Sequence, residues 1–122
     1  MTRVLLIEDN AAMRELLRTI LEKENYEVLE AADGDVGTQL FRNQRPDVVL
    51  TDIMMPKKNG LETIRDLRQE WPQVKIIAMS GGGYKVTQQR VLRTAEDLGA
   101  LQTLAKPFSC QALLRAVAAV LT

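Results

Sequence analysis

The strongest constraint on the fold is an alternation of short apolar segments with longer amphipathic segments, repeated five times along 122 residues. The short segments have the composition of buried strands, and the longer ones carry apolar residues at helical spacing. Strands that alternate with helices of this length form right-handed βαβ units, with a parallel sheet between two helical layers. The predicted strands are Val4–Ile7, Glu27–Ala31, Val48–Thr51, Val74–Met79 and Leu101–Ala105.

The predicted helices are bounded by capping residues, glycine and proline. Asp9 or Asn10 can cap the first helix, Ser109 can cap the last, and Gly99 closes the fourth. The residues that mark the five helices are Met13, Leu16, Leu17, Ile20 and Leu21; Leu40 and Phe41; Leu61, Ile64 and Leu67; Val86–Leu98; and Leu113, Leu114, Val117 and Val120.

Size and composition exclude several classes of protein. A chain of 122 residues suits one domain, so we expect a single domain over residues 1–122. Its 16 basic and 16 acidic side chains cancel, and we expect neither nucleic acid nor a membrane as a partner. The single cysteine, Cys110, excludes an internal disulfide, and no apolar run could span a bilayer, so we expect a cytoplasmic protein. Histidine is absent, so a divalent ion would need oxygen ligands, as Mg²⁺ or Mn²⁺ does.

Polar side chains lie at the ends of four of the five predicted strands. Ligands of open parallel sheets bind beyond the carboxyl ends of the strands, so these side chains should share one rim. Three carboxylates on one rim repel one another unless a cation such as Mg²⁺ holds them together. Such a group suits phosphoryl transfer onto a carboxylate. The residues concerned are Glu8, Asp9, Asp52, Ser80 and Lys106.

Each of these residues also has an ordinary structural interpretation. Glu8 and Asp9 could be a solvated acid beside a helix cap, Ser80 a loop serine, and Lys106 part of a surface turn. Lys106 could alternatively pair with Asp52 or with an incoming phosphoryl oxygen. Only the common position at strand ends favours a shared site.

Four segments of the sequence carry a family resemblance: VLLIEDN, VVLTDIMMPKKNG, IIAMSGG and LAKPF. With them, the chain resembles the CheY-like receiver domains of response regulators in two-component phosphorelay signalling, from Val4 to Val120. The resemblance implies a three-layer (βα)5 flavodoxin-like doubly wound fold, with five parallel strands in the order 2-1-3-4-5.

The resemblance also implies the roles of individual residues. Asp52 would accept the phosphoryl group, Ser80 would donate a hydrogen bond to it, and Lys106 would pair with it and precede a cis peptide bond. The donor would be a sensor histidine kinase or a histidine phosphotransfer protein, and the signal would pass to a downstream protein target or a fused domain. Any self-phosphorylation or self-dephosphorylation would be slow. The implied Mg²⁺ ligands are Glu8, Asp9, Asp52 and the main-chain carbonyl of Met54.

Two other functions are compatible with such a fold. An aspartate-nucleophile phosphatase would need a second aspartate two positions after Asp52, but that residue is Met54, which cannot transfer a proton. A receiver-like interaction module without phosphorylation would not need the five polar residues at the rim. The sequence leaves open whether the chain acts alone or is one domain of a longer hybrid protein.

The sequence departs from the family pattern in two places. Receiver domains usually carry an aromatic residue three positions before the lysine, whereas this chain has Thr103. The stretch between Ser80 and Gly99 also looks longer than is usual and begins with three glycines. Tyr84 is a candidate to replace the aromatic residue, and we expect the largest change on activation in residues 81–90.

Overall fold

The computed structural model describes the chain over residues 1–55, 58–81 and 85–122. The strands in these ranges are Arg3–Ile7 (β1), Glu27–Ala31 (β2), Val48–Asp52 (β3), Ile76–Ser80 (β4) and Gln102–Ala105 (β5). The helices in these ranges are Ala11–Lys23 (α1), Gly34–Gln44 (α2), Gly60–Glu70 (α3), Lys85–Leu98 (α4) and Cys110–Leu121 (α5).

The strands form one parallel sheet in the order β2-β1-β3-β4-β5. This order confirms the predicted doubly wound topology, in which the direction of winding reverses between β1 and β3. Ligands of such sheets bind at this point of reversal. Ile7 is paired with Thr51 across β1 and β3, so the residues that follow, Glu8 and Asp52, lie side by side.

The two faces of the sheet have separate apolar cores because successive strand residues point to opposite sides. In β1, Leu5 and Ile7 pack with residues of α2, α3 and α4, whereas Val4 and Leu6 pack with residues of α1 and α5. All four side chains are fully buried. The nearly unbroken apolar strands of the sequence are therefore explained by burial on both faces.

Element boundaries differ from the predicted ones by two residues or fewer. The strand predicted over Val74–Met79 begins at Ile76 because the Val74 N–H donates to the Trp71 carbonyl in a turn. It extends through Ser80, so this residue is the last of β4 rather than the first after it. Asp52 is likewise the last residue of β3.

The helix caps settle one alternative that the sequence left open. Asn10, not Asp9, caps α1, since its side-chain oxygen accepts from the Met13 N–H at 2.9 Å. Ser109 caps α5 as predicted, and Gly99, with a φ of 120°, follows α4 in the left-handed region. Because Asn10 satisfies the helix N-terminus, the Asp9 carboxylate is not engaged in the cap.

Among the described residues, none of the helices combines the length and apolar character needed to cross a bilayer.

We predict that Gly60→Ala lowers the free energy of unfolding by about 1–3 kcal/mol, the usual effect of overpacking. A Cβ at this position would lie 2.7 Å from the Ile53 Cα and too close to the Asp52 carbonyl oxygen. Both neighbours are backbone atoms, which cannot move aside by a side-chain rotation. Urea unfolding measures the effect. Arg65→Ala in the same helix is the control, because Arg65 is exposed and its replacement should change the stability by less than about 0.5 kcal/mol. Equal stability of the two variants would contradict this close approach.

Candidate functional site

Three carboxylates meet where β1 and β3 end. Glu8, Asp9 and Asp52 each offer one oxygen, and these oxygens lie within 4.8 Å of one another. Glu8 is 1% exposed and Asp52 is 5% exposed, whereas Asp9 lies at the surface. The predicted convergence of the three acids on one rim is therefore present in the structure.

Among the described residues, one lysine contacts the two buried acids. The Lys106 Nζ lies 2.7 Å from Glu8 Oε1 and 3.5 Å from Asp52 Oδ2. The shorter contact is to Glu8, a partner that the sequence interpretation did not consider. Gly81 leaves room for this side chain, because a Cβ at position 81 would lie 2.9 Å from the Lys106 Cβ. The peptide bond between Lys106 and Pro107 is cis, as the resemblance implied.

One oxygen of the cluster has no protein partner. Asp52 Oδ1 is buried and accepts no hydrogen bond from the described residues, although a buried carboxylate oxygen normally has a donor or a cation. The Asp52 residue lines a pocket of about 380 Å³, together with Met13, Met54, Gly81 and Lys106. Two buried acids, a third acid at the surface and an unsatisfied oxygen are a donor set that fits a hard divalent cation.

Burial governs the electrostatics of the two inner acids. It raises the pKa of Asp52 above its usual value, and the nearby Lys106 ammonium only partly opposes this effect. Burial also raises the pKa of Glu8, where the hydrogen bond from Lys106 acts in the opposite direction and the charge of Asp52 adds to the rise. Lys106 therefore does not by itself balance two buried carboxylates, and a second positive charge would stabilise their ionised forms.

The other predicted site residues lie at the same edge of the sheet. The Ser80 side chain is buried, and Met54 lines the pocket with its side chain 58% exposed. Thr103 lies in β5 opposite Ala78. The role of the Met54 carbonyl stays a prediction. Tyr84, and residues 82–84 of the segment expected to change on activation, lie outside the described residues.

Gln88 is a site residue that the sequence interpretation missed. Its Nε2 donates to the Ser80 carbonyl at 2.7 Å and to the Lys106 carbonyl at 3.2 Å. A signal for it was present, because Gln88 precedes Leu92 and Ala95 by four and seven residues and so shares the buried face of α4. A polar residue at a core-facing position indicates a specific hydrogen-bond partner.

We predict that Asp52→Asn raises the melting temperature in EDTA at pH 7, by an amount on the order of a few degrees. The pKa of Asp52 is raised above its usual 3.8, so ionisation of this buried carboxyl lowers the free energy of unfolding. The stability of the neutral form is fully present below pH 3.8 and is lost as the pH rises through the raised pKa. The gain in the variant should therefore shrink as the pH is lowered from 7 toward 3.8. Lys106 keeps its contact with Glu8 in the variant.

Thermal unfolding in EDTA across this pH range measures the effect. Asp35→Asn is the control, because the Asp35 side chain is 79% exposed and lies outside the carboxylate cluster. A variant at position 52 that is less stable than wild type at pH 7 would contradict the account of burial.

Comparison with known proteins agrees with the fold. Residues 4–118 match the response regulator receiver domain family. Protein CcdB of Bacillus subtilis (strain 168) is 41% identical over 99% of this chain and 98% of the relative, and chemotaxis protein CheY of Thermotoga maritima is 35% identical over 94% and 93%. The chain spans only 50% of the transcriptional regulatory protein CpxR of Escherichia coli (strain K12), at 36% identity over 99% of this chain.

A solved structure gives the same result. The response regulator receiver domain protein of Clostridium thermocellum superposes with a TM-score of 0.91 at 28% identity, over 98% of this chain and 94% of that chain. The order of the strands, the acidic cluster at their carboxyl ends and these likenesses agree with one another. The chain belongs to the response regulator receiver domain family, whose members are regulatory switches of two-component signal transduction rather than classical enzymes.

Proposed function

We propose that this receiver domain is a phosphoacceptor switch in which Asp52 takes up a phosphoryl group in a Mg²⁺-dependent reaction. The observation that carries the proposal is the buried Asp52 Oδ1, which has no hydrogen-bond partner in the described ranges and belongs to a cluster with two further acids and Lys106. An oxygen of this kind is available both as a ligand and as a nucleophile. The family membership supports the same assignment.

The metal site in this proposal is made of oxygen ligands. Asp9 is well suited because it is exposed and is not used as the cap of α1. Bound Mg²⁺, or Mn²⁺ in its place, would neutralise the carboxylates and the oxygens of an incoming phosphoryl group. The proposed ligands are Glu8, Asp9, Asp52 and the main-chain carbonyl of Met54.

The chain's own residues then perform the transfer. The Asp52 carboxylate attacks the phosphorus of a phosphohistidine; the new O–P bond forms as the N–P bond breaks, and the imidazole leaves with the bonding electrons. Lys106, now 2.7 Å from Glu8, pairs with one phosphoryl oxygen, and the Ser80 hydroxyl donates to another. The Met54 side chain cannot activate water, so hydrolysis of the acyl phosphate is slow.

The remaining parts of the proposal concern partners and setting. The donor is a sensor histidine kinase or a histidine phosphotransfer protein, as membership in the response regulator receiver domain family implies. The output is a changed surface that a downstream protein target or a fused domain reads. We also propose that residues 1–122 form a single receiver domain that acts in the cytoplasm.

We predict that wild-type protein treated with acetyl phosphate and Mg²⁺ gains the mass of one phosphoryl group. Asp52→Asn should gain none, because the amide is not a nucleophile, and EDTA should abolish the gain in wild type. Intact-protein mass spectrometry measures all three results. Asp35→Asn is the matched control, and its uptake should equal that of wild type because its carboxylate lies outside the cluster. Uptake by Asp52→Asn would overturn the acceptor assignment, and equal uptake with and without EDTA would overturn the metal site.

We predict that Mg²⁺ raises the melting temperature of wild type, because a ligand that binds only the folded state stabilises that state. At a Mg²⁺ concentration 100 times Kd, the free energy of unfolding should rise by about 2.7 kcal/mol. Asp9→Asn should weaken this response while leaving the stability in EDTA nearly unchanged, because Asp9 is exposed. Ser80→Ala is the control and should keep the full response, since Ser80 is not a proposed ligand. Thermal unfolding at a series of Mg²⁺ concentrations gives the comparison. Loss of the response in Ser80→Ala and not in Asp9→Asn would refute this ligand set.

A further inference from the structure

One side-chain amide joins the main chains of Ser80, the last residue of β4, and Lys106, the residue that follows β5. The ladder between β4 and β5 ends with Ser80 opposite Ala105, and the Lys106 N–H then donates to the Ser80 carbonyl at 2.7 Å. Gln88 Nε2 donates to that same carbonyl at 2.7 Å and to the Lys106 carbonyl at 3.2 Å. Its two hydrogens therefore bridge the main chains of both residues.

The packing of α4 fixes where this amide lies. Gln88 is in the first turn of α4, and Leu92 and Ala95 follow it on the same helix face. Leu92 is 8% exposed and Ala95 is 0% exposed, and both belong to the core beneath this face of the sheet. The anchored helix places the glutamine over the carboxyl ends of β4 and β5. An exposed neighbour in the same turn, Gln89, does not share this face.

We propose that Gln88 is a positioning residue for phosphoryl transfer to Asp52. It holds the main chains of Ser80 and Lys106 at a set separation, so that the hydroxyl and the ammonium reach the same phosphoryl group. The inference rests on the proposed function, because it is that function which assigns Ser80 and Lys106 to the phosphoryl oxygens. Small errors in the position of such groups reduce rates strongly, since transfer depends on alignment.

The same two hydrogen bonds connect the site to α4. A shift of the main chain of Ser80 or Lys106 would change the distance from its carbonyl to Gln88, so that the first turn of α4 would follow or a hydrogen bond would be lost. Thr103 stands where receiver domains usually carry an aromatic residue. Gln88 gives this chain a direct connection between site and helix that does not involve a ring at position 103.

The test compares Gln88→Met, which keeps the length of the side chain but cannot donate, with Gln88→Ala and with the control Gln89→Met. The rate of Asp52 phosphorylation by acetyl phosphate at saturating Mg²⁺ should fall about three- to tenfold in both Gln88 variants, the range expected for loss of one or two neutral hydrogen bonds. Gln89→Met should match wild type. The Mg²⁺ affinity, measured by thermal shift, should stay within about twofold of wild type in all three variants, since the two hydrogen bonds of Gln88 go to residues that are not proposed metal ligands.

This split between rate and metal affinity separates positioning from general structural damage. Provided that the wild type is phosphorylated, two results for the Gln88 variants would overturn this inference but not the proposed function. One is a loss of Mg²⁺ affinity in parallel with the loss of rate, and the other is a rate equal to that of wild type. A wild type that takes up no phosphoryl group would overturn the proposed function and this inference together.

A second measurement reports on the hydrogen bonds themselves. In nuclear magnetic resonance spectra of the apo protein, the Gln88 side-chain amide protons should exchange more slowly than those of Gln89. Addition of beryllofluoride with Mg²⁺ should shift the Gln88 side-chain amide signal and leave that of Gln89 unchanged. Fast exchange and an unmoved Gln88 signal would contradict the bridge.

Discussion

The structure depends on two carboxylates that are buried next to each other and face one ammonium group. Glu8 and Asp52 are adjacent because Ile7 pairs with Thr51, and both lie almost wholly out of solvent. Burial raises the pKa of each acid, and Lys106 opposes the effect for both. Among the described residues the cluster is therefore short of positive charge, a condition that favours the binding of a cation.

The surrounding elements are arranged so that this cluster can form. Asn10 caps α1 and leaves Asp9 out of the cap, while the absence of a side chain at Gly81 gives the Lys106 stem its path across the end of β4. Gly60 allows α3 to begin against the backbone that carries Asp52. Each feature is modest in energy, but together they fix the positions of the charged groups, and the charge interactions depend steeply on those positions.

Much of the fold could be predicted from local patterns. Strands covered on both faces are continuous apolar runs, and the amphipathic helices between them have a clear period, so every strand and the fourth helix were placed within two residues of their observed bounds. Strand ends were less certain because a turn such as the one that bonds Val74 to Trp71 has the same apolar composition as a strand. The choice between Asp9 and Asn10 as the cap also stayed open, because both residue types cap helices well.

By itself, the sequence determined the alternation of strands and helices and the presence of acids, a serine and a lysine at strand ends, since these depend only on residue type and period. Tertiary structure alone decided that Lys106 lies closer to Glu8 than to Asp52, that Asp52 Oδ1 has no partner among the described residues, and that Gln88 bridges two strands. Lys106 and Glu8 are 98 positions apart in the chain. Such distances are set by the register of the sheet and the packing of helices upon it, and no local pattern of residues contains that information.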